Sequence, residues 1–247
     1  MKKPQGIPFV IGHRGACGHA PENTLPSFRK AAELGVRWVE LDVQLSADGV
    51  PFLLHDDRLE RTTDGEGEAR ETIWSELAAL DAGRWFDEAF TGTRLLRLDD
   101  AIGHLDTLGL GMNIELKSTP GRERDTAKAV CATLSKEWPA SLPKPLLSSF
   151  SLECVAFAAE CLPDCARAML YDELPEDWRD QCAAVGAAAV HVWHESITPD
   201  QIRPVLDAGY PVRAFTVNQR TRAAELGDQG FAGIFCDFPE RMSGVGG

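Results

Sequence analysis

The stretch Trp38-Val39-Glu40-Leu41-Asp42-Val43-Gln44-Leu45-Ser46-Ala47-Asp48-Gly49-Val50-Pro51-Phe52-Leu53-Leu54-His55-Asp56 decides how this chain is read. Val39, Leu41, Val43 and Leu45 alternate with Glu40, Asp42 and Gln44, the period-two pattern of a strand with one apolar and one polar face. Glu40 and Asp42 therefore point the same way. Asp48-Gly49 suits the centre of a two-residue hairpin turn, because both residue types tolerate positive φ. In that register Asp42 stands opposite His55 on the returning arm, whereas a longer loop would shift the pairing and break it. Two carboxylates and an imidazole on one pleated face outline a chemical site.

Upstream, the apolar run Pro8-Phe9-Val10-Ile11-Gly12 reads as a buried strand, and His13-Arg14-Gly15 opens a loop that reaches Glu22-Asn23-Thr24. Thr24 is placed to cap a helix with Pro26 in its first turn, Phe28, Ala31, Ala32 and Leu34 on its inner face, and Gly35 as its stop. Downstream, periodicity weakens over residues 57–98, with a loop at 61–67, a short helix near 74–80 and the aromatics Trp85, Phe86 and Phe90. A connection of that length points to a lid-like insertion beside a pocket. Beyond a helix at 98–108, strand-like runs at 112–116, 145–149, 167–170, 188–192, 212–217 and 233–236 alternate with helix-like ones at 124–138, 152–161, 177–185, 199–208 and 220–226.

With the first strand and the outgoing hairpin arm, the chain has eight strands alternating with helices, the pattern of an α/β (β/α)8 TIM barrel. The returning arm is an extra strand. No Gly-x-Gly-x-x-Gly or Walker-type loop follows any strand, which argues against a doubly wound open sheet. No linker or low-complexity tract divides residues 1–247, so one domain is expected.

The 38 acidic and 25 basic residues give a net charge of −13, which disfavours nucleic acid and stable membrane association. The seven cysteines form an odd set without paired zinc spacing and read as reduced thiols, hence a cytoplasmic location. Cys161 and Cys165 lie four apart with no second pair to accompany them. Lys2 and Lys3 could begin a secretion signal, but Pro4, Gln5, Gly6 and Pro8 interrupt any apolar core. Nothing in the sequence indicates an oligomeric state.

In a TIM barrel the carboxyl ends of the strands form the active face, and the charged residues fall there consistently. His13 and Arg14 follow the first strand, Glu40 and Asp42 lie late in the second, Glu115-Leu116-Lys117 ends the next, and Asn218 and Asp237 follow the last two. Glu40, Asp42 and Glu115 are three hard oxygen ligands without a thiolate among them, a set suited to one Mg²⁺ or Ca²⁺ ion. With Arg14 and Lys117 they leave one net negative charge, and a divalent cation turns that into one positive charge, a match for a phosphodiester. The plainer alternative is that they simply salt-bridge to the two cations. His13 and His55 are candidates for an acid/base pair. His19, His104, His191 and His194 lack that context, and His191 and His194 read as core or rim residues.

Together, His13-Arg14-Gly15, Pro21-Glu22-Asn23-Thr24, Glu40-Leu41-Asp42, Asp48-Gly49, Leu54-His55-Asp56, Arg61-Thr62-Thr63, Glu115-Leu116-Lys117, Ser148-Ser149-Phe150 and Thr216-Val217-Asn218 resemble the motifs of the glycerophosphodiester phosphodiesterases, particularly the compact cytosolic bacterial type. The resemblance runs nearly end to end. It implies a phospholipase-C-like barrel that hydrolyses glycerophosphodiesters, such as glycerophosphocholine and glycerophosphoethanolamine, to glycerol 3-phosphate and an alcohol. By position it assigns Glu40, Asp42 and Glu115 to the metal, His13 and His55 to acid/base catalysis, and Arg14 and Lys117 to phosphate oxygens. Phe150, Phe215 and Asn218 become candidate substrate contacts. Phe215 stands where the family has Trp, and Cys236-Asp237 where Thr-Asp is usual, which bears on the wall beside the glycerol. Alternatives are a related barrel phospholipase acting on lysolipid, phosphatidylinositol or sphingomyelin, and a non-catalytic glycerophosphodiester-binding protein.

Overall fold

Alternation along the central hairpin arm does produce a strand, but both of its faces are covered. In the computed structural model, which describes residues 6–246, all eight residues of β2 (Trp38–Leu45) are buried. The strand lies between β1 (Val10–Gly12) and β4 (Gly111–Leu116), parallel to both. Val39, Leu41 and Val43 belong to the apolar layer under the helices. The other row, Glu40, Asp42 and Gln44, faces the barrel interior, so the polar face of the pattern is an inner wall.

Six further parallel or antiparallel strands complete the sheet: β3 (Pro51–Leu53), β5 (Leu146–Ser149), β6 (Ala166–Tyr171), β7 (Ala189–Trp193), β8 (Val212–Phe215) and β9 (Gly233–Cys236). The order β1-β9-β8-β7-β6-β5-β4-β2, with β1 also paired to β2, closes an eight-stranded parallel barrel. Among the described residues only β3 runs antiparallel, along the outer part of β2. Helices α1 (Leu25–Glu33), α3 (Leu98–Leu108), α4 (Glu123–Glu137), α5 (Leu152–Cys161), α6 (Trp178–Ala184), α7 (Pro199–Asp207) and α8 (Arg220–Asp228) alternate with the strands, and α2 (Trp74–Leu77) lies in the insertion. Helix α7 carries a complete capping box, with Thr198 and Gln201 satisfying each other's backbone N–H groups. Thr24 precedes α1 in extended conformation, but its hydroxyl donates to the Pro21 carbonyl at 2.5 Å, so the helix lacks the side-chain cap expected of it.

Inside the barrel, Ile11, Trp38, Leu146, Ala168, Ala189 and Phe235 form a separate apolar plug. Trp38 fits because its neighbour on β4 is Gly111, where a Cβ would lie 2.4 Å from the indole. This plug closes the barrel beneath the polar residues at its carboxyl end.

The hairpin register differs from the expected one. Val43 pairs with Leu53 and Leu45 with Pro51, and Ser46 N–H donates to the Val50 carbonyl. Ala47, Asp48 and Gly49 form a three-residue loop with Gly49 left-handed at φ 82°. The slip places Leu54, not His55, beside Asp42, with Leu54 N–H donating to the Asp42 carbonyl at 3.2 Å. His55 lies beyond the end of β3. Gln44 draws the chain around the corner by donating from Nε2 to the carbonyls of Leu54 (3.0 Å) and Asp56 (2.6 Å).

The insertion packs its own small core, Leu59, Ala69, Leu77, Ala82 and Leu95 with Phe52 and Leu54 of the hairpin. The loop residue Asp48 anchors it by accepting from Trp74 N–H at 2.9 Å. All seven cysteines are free. Burial, with Cys161 and Cys165 nearby, pushes the Cys131 thiol up to about 12, away from reactive thiolate chemistry. Lys2, Lys3, Pro4 and Gln5 lie outside the described residues, and among those described no helix is long and apolar enough to cross a membrane.

Candidate active site

A tight turn after β1 delivers the first catalytic candidates. Arg14 adopts φ 49° and Gly15 φ 91°, and a Cβ on Gly15 would come within 2.8 Å of the Ser27 backbone. This turn aims Arg14 N–H at Glu40 Oε2 (3.0 Å) and Arg14 Nε at Asp42 Oδ2 (3.3 Å). Asn23, also left-handed at φ 56°, grips Asp42 twice: Nδ2 donates to Oδ2 at 2.8 Å, and Oδ1 accepts from Asp42 N–H at 3.2 Å.

Glu40, Asp42 and Glu115 come together, each offering an oxygen within 4.8 Å of the others. Asp42 and Glu115 are register partners on β2 and β4. Lys117 donates to Glu115 Oε1 at 2.9 Å and lies 3.6 Å from Asp42 Oδ1. Burial and the negative charges of Asp42 and Glu115 raise Glu40 well above the usual carboxylate range, and burial with Asp42 also raises Glu115. Burial acts the same way on Asp42, but Arg14, Lys117 and His55 overcome it and hold that carboxyl low. Glu40 Oε1 is buried and has no hydrogen-bond partner among the described residues. An orphaned oxygen in a crowd of carboxylates fits a hard divalent cation, which the three side chains could hold.

Both candidate histidines are oriented by carboxylates. His13 Nδ1 lies 2.7 Å from Asp237 Oδ1, and His55 Nδ1 lies 2.7 Å from Asp56 Oδ1. In each case Nε2 remains for the cavity. His13 Nε2 is 4.0 Å from Glu40 Oε2. Burial, with Arg14 and Lys117 adding to it against the pull of Asp42, lowers His55 below its ordinary value. Asp237 is held low by His13, with Cys17 and Asn218 also donating to it, although burial opposes this. Asp56 accepts two hydrogen bonds from Arg61, and Arg61 makes two more to Glu22, which accepts from Arg14 at 2.7 Å. A continuous chain of charges thus joins His55 to Arg14.

The cavity, about 320 Å³, is lined by His13, Arg14, Glu40, His55 and Glu115 on one side and by Phe150, Phe215, Leu170 and His191 on the other. Phe150 and Phe215 meet edge to face with centroids 5.9 Å apart. Lys117 reaches the site through its ion pairs. Asn218 is used differently from the substrate contact expected of it: its Nδ2 donates to Asp237 Oδ2 at 2.6 Å and its Oδ1 accepts from Asp237 N–H at 2.9 Å. None of residues 57–98 lines this cavity, and the insertion meets the site through Arg61. His19 pairs with Glu240, and His194 contacts the Thr216 carbonyl. Asp237, Asp56, Arg61 and Asp172 are site residues that had no role assigned from sequence; the signal for the first three lay in Cys236-Asp237, Leu54-His55-Asp56 and Arg61-Thr62-Thr63.

Residues 13–241 match the Glycerophosphoryl diester phosphodiesterase family. The chain belongs to that family. A glycerophosphodiester phosphodiesterase of Caldanaerobacter subterraneus is 33% identical over 242 residues, covering 95% of this chain and 96% of the relative. An Oleispira antarctica phosphodiesterase, solved in complex with the product sn-glycerol-3-phosphate, superposes with a TM-score of 0.93 at 38% identity, covering 97% of this chain and 96% of that one. A glycerophosphodiester phosphodiesterase from Agrobacterium tumefaciens superposes with a TM-score of 0.77 at 29% identity, over 96% of this chain and 100% of that one. This family member is accordingly a (β/α)8-barrel enzyme of the phosphodiester hydrolases.

Proposed function

We propose that this phosphodiesterase hydrolyses glycerophosphodiesters such as glycerophosphocholine and glycerophosphoethanolamine to glycerol 3-phosphate and an alcohol, with His13 and His55 as its acid/base pair. The observation that carries this reading is that two histidines, each fixed at Nδ1 by a carboxylate, enter one cavity with a three-carboxylate cluster. Arg14 and Lys117 hold the non-bridging phosphate oxygens. One imidazole Nε2 accepts the proton of the attacking O–H as the new P–O bond forms, either of water directly or of the glycerol hydroxyl, in which case water then opens the cyclic phosphate. The other delivers its proton to the alcohol oxygen as the old P–O bond breaks. Asp237 and Asp56 keep the imidazoles oriented and stabilise their protonated forms. Glu40, Asp42 and Glu115 would hold one Mg²⁺ or Ca²⁺ ion, which when bound supplies Lewis-acid polarisation of a phosphoryl oxygen. The −13 charge and the reduced cysteines fit a cytoplasmic enzyme acting on small molecules without nucleic-acid or stable membrane partners.

The test is release of glycerol 3-phosphate from both diesters, with and without EDTA and with added Mg²⁺, Ca²⁺ or Mn²⁺. Release that depends on added cation is expected. Absence of release with every cation would refute the activity, and undiminished release after complete metal stripping would refute the metal role.

A further inference from the structure

Cys17 stands in the site without a part in the proton transfers. It lies four residues beyond His13 in the turn after β1, and its Sγ comes to 3.9 Å from His13 Nδ1 and donates to Asp237 Oδ1 at 2.9 Å. His13 Nδ1 is 2.7 Å from the same oxygen, so a thiol, an imidazole and a carboxylate converge on one point. Among the described residues, this is the one group besides the carboxylate cluster in which three possible metal ligands bring donor atoms within 4.8 Å of one another. Linear spacing conceals it, because the third ligand arrives from the far end of the chain. The backbone fixes the arrangement. Gly18 N–H donates to the Asp237 carbonyl at 3.1 Å, and a Cβ on Gly18 would clash with the Phe238 ring, so Cys17 is laid against the end of the last strand. Asn218 holds Asp237 from its other side by donating to Oδ2 at 2.6 Å, which leaves Oδ1 to His13 and Cys17. The side chains of His13 and Asp237 are 16% and 23% exposed, so an ion can reach them from solvent.

The donor set differs in kind from the carboxylate cluster. Three carboxylates favour a hard ion such as Mg²⁺ or Ca²⁺, whereas a thiolate and an imidazole beside one carboxylate favour Zn²⁺. Tetrahedral zinc, with bonds of about 2.0–2.3 Å, separates its ligand atoms by roughly 3.3–3.7 Å. The separations of 2.7, 2.9 and 3.9 Å reach that range with shifts of under about 1 Å. The two short ones are hydrogen bonds whose hydrogens a cation would replace. Burial and the Asp237 charge push the Cys17 thiol up, so it keeps its proton until a metal takes that place.

Resting on the phosphodiesterase reading above, we infer that His13, Cys17 and Asp237 form an inhibitory Zn²⁺ site, with water as the fourth ligand, that acts on the enzyme through its own proton carrier. Binding releases one proton, from Cys17 Sγ, and the proton of the neutral imidazole passes from Nδ1 to Nε2. Nδ1 is then occupied by the metal, and Nε2 carries a hydrogen that it does not give up near neutral pH. His13 can neither accept nor deliver the proton of the reaction. The enzyme thus has two cation sites of opposite effect, a hard one that supports turnover and a softer one that stops it.

The experiment measures glycerol 3-phosphate release from glycerophosphocholine at a saturating level of the cation that supports turnover, in a non-chelating phosphine reductant, while Zn²⁺ is titrated in. Each protein's rate is taken relative to its own rate without zinc, so partial loss of folded protein does not enter. Zn²⁺ should inhibit the native enzyme, and tenfold more of the supporting cation should not restore it. Cys17→Ser, which keeps a hydroxyl to donate to Asp237, should need at least about tenfold more Zn²⁺ for half inhibition. Co²⁺ supplies a readout that does not depend on turnover. It should give a near-ultraviolet thiolate-to-cobalt absorption that Zn²⁺ displaces, that falls by one thiolate's worth in Cys17→Ser and that Glu40→Gln leaves unchanged. Native turnover untouched by Zn²⁺, or inhibition of Cys17→Ser at the native zinc concentration, would overturn the inhibitory site while leaving the phosphodiesterase reading intact. Absence of release with every cation would overturn that reading. An equal cobalt absorption in the native protein and Cys17→Ser would overturn the metal site whatever the turnover.

Discussion

Asp237, at the end of the last barrel strand, holds Nδ1 of His13, at the end of the first, at 2.7 Å. These strands pair with each other to close the barrel, and His13 N–H donates to the Cys236 carbonyl at 3.0 Å. Barrel closure itself therefore assembles the pair. Asp237→Asn would offer an N–H to Nδ1 and impose the wrong tautomer at Nε2. Turnover should fall by about a hundredfold or more with little change in KM or melting temperature. Steady-state kinetics check this, and adding His13→Ala to Asp237→Asn should cost far less than His13→Ala does alone.

The carboxylate cluster should behave as a cation switch on stability. A divalent ion at about a hundred times its Kd should add about 2.7 kcal/mol, or roughly 5–10 °C in melting temperature for a chain of this size. Glu40→Gln should abolish that increment. Without cation it should melt above the parent protein, because the carboxylate that burial and its two like-charged neighbours disfavour is gone. Thermal melts in EDTA and in Mg²⁺ or Ca²⁺ measure both effects.

Arg61 is a positioning residue. Its guanidinium bridges Asp56 and Glu22 across a partly exposed surface, so its ion pairs should contribute under about 1 kcal/mol to stability. Loosening Asp56 frees the His55 ring, and Arg61→Ala should lower kcat by about tenfold. A pH–rate profile in which the limb assigned to His55 shifts, together with partial rescue by Arg61→Lys, separates this role from simple destabilisation.

His191 should give the fold an acid sensitivity of its own. Its folded-state pKa lies well below the ordinary 6.5, so the unfolded chain binds a proton that the native chain refuses. The stabilisation is fully present above about pH 6.5 and is lost as pH falls from there toward the folded value, at about 1.4 kcal/mol per unit. Urea denaturation at a series of pH values should show that slope diminished by one proton's worth in His191→Phe.

The barrel was legible because its strands are short apolar runs separated by amphipathic helices, and because Glu40, Asp42, Glu115 and His13 fall at strand ends. The hairpin register was not. Asp48-Gly49 fits a two-residue turn, but also a three-residue loop in which Gly49 alone is left-handed, and local sequence cannot choose between them. Here the choice is tied to long-range contacts, Ala47 N–H to the Thr72 carbonyl and Trp74 N–H to Asp48. The roles of Asp237 and Asn218 were hidden for a similar reason, since Asp237 meets His13 only once the barrel closes. His191 read as a core or rim residue. It is buried and also lines the cavity, a combination that periodicity does not distinguish from ordinary core.

The second histidine is fastened to the barrel by the Gln44 amide beneath the chain and the Asp56–Arg61–Glu22 bridge beside it. The rest of the site grows from the barrel strands or from the segments that directly follow them. The enzyme is thus modular at one seam. Exchange of the segment from the hairpin loop to α3 between relatives would transplant one proton carrier with Asp56 and Arg61 onto a barrel that keeps Gln44 and Glu22 as their anchors, leaving the carboxylate cluster and its partner histidine in place.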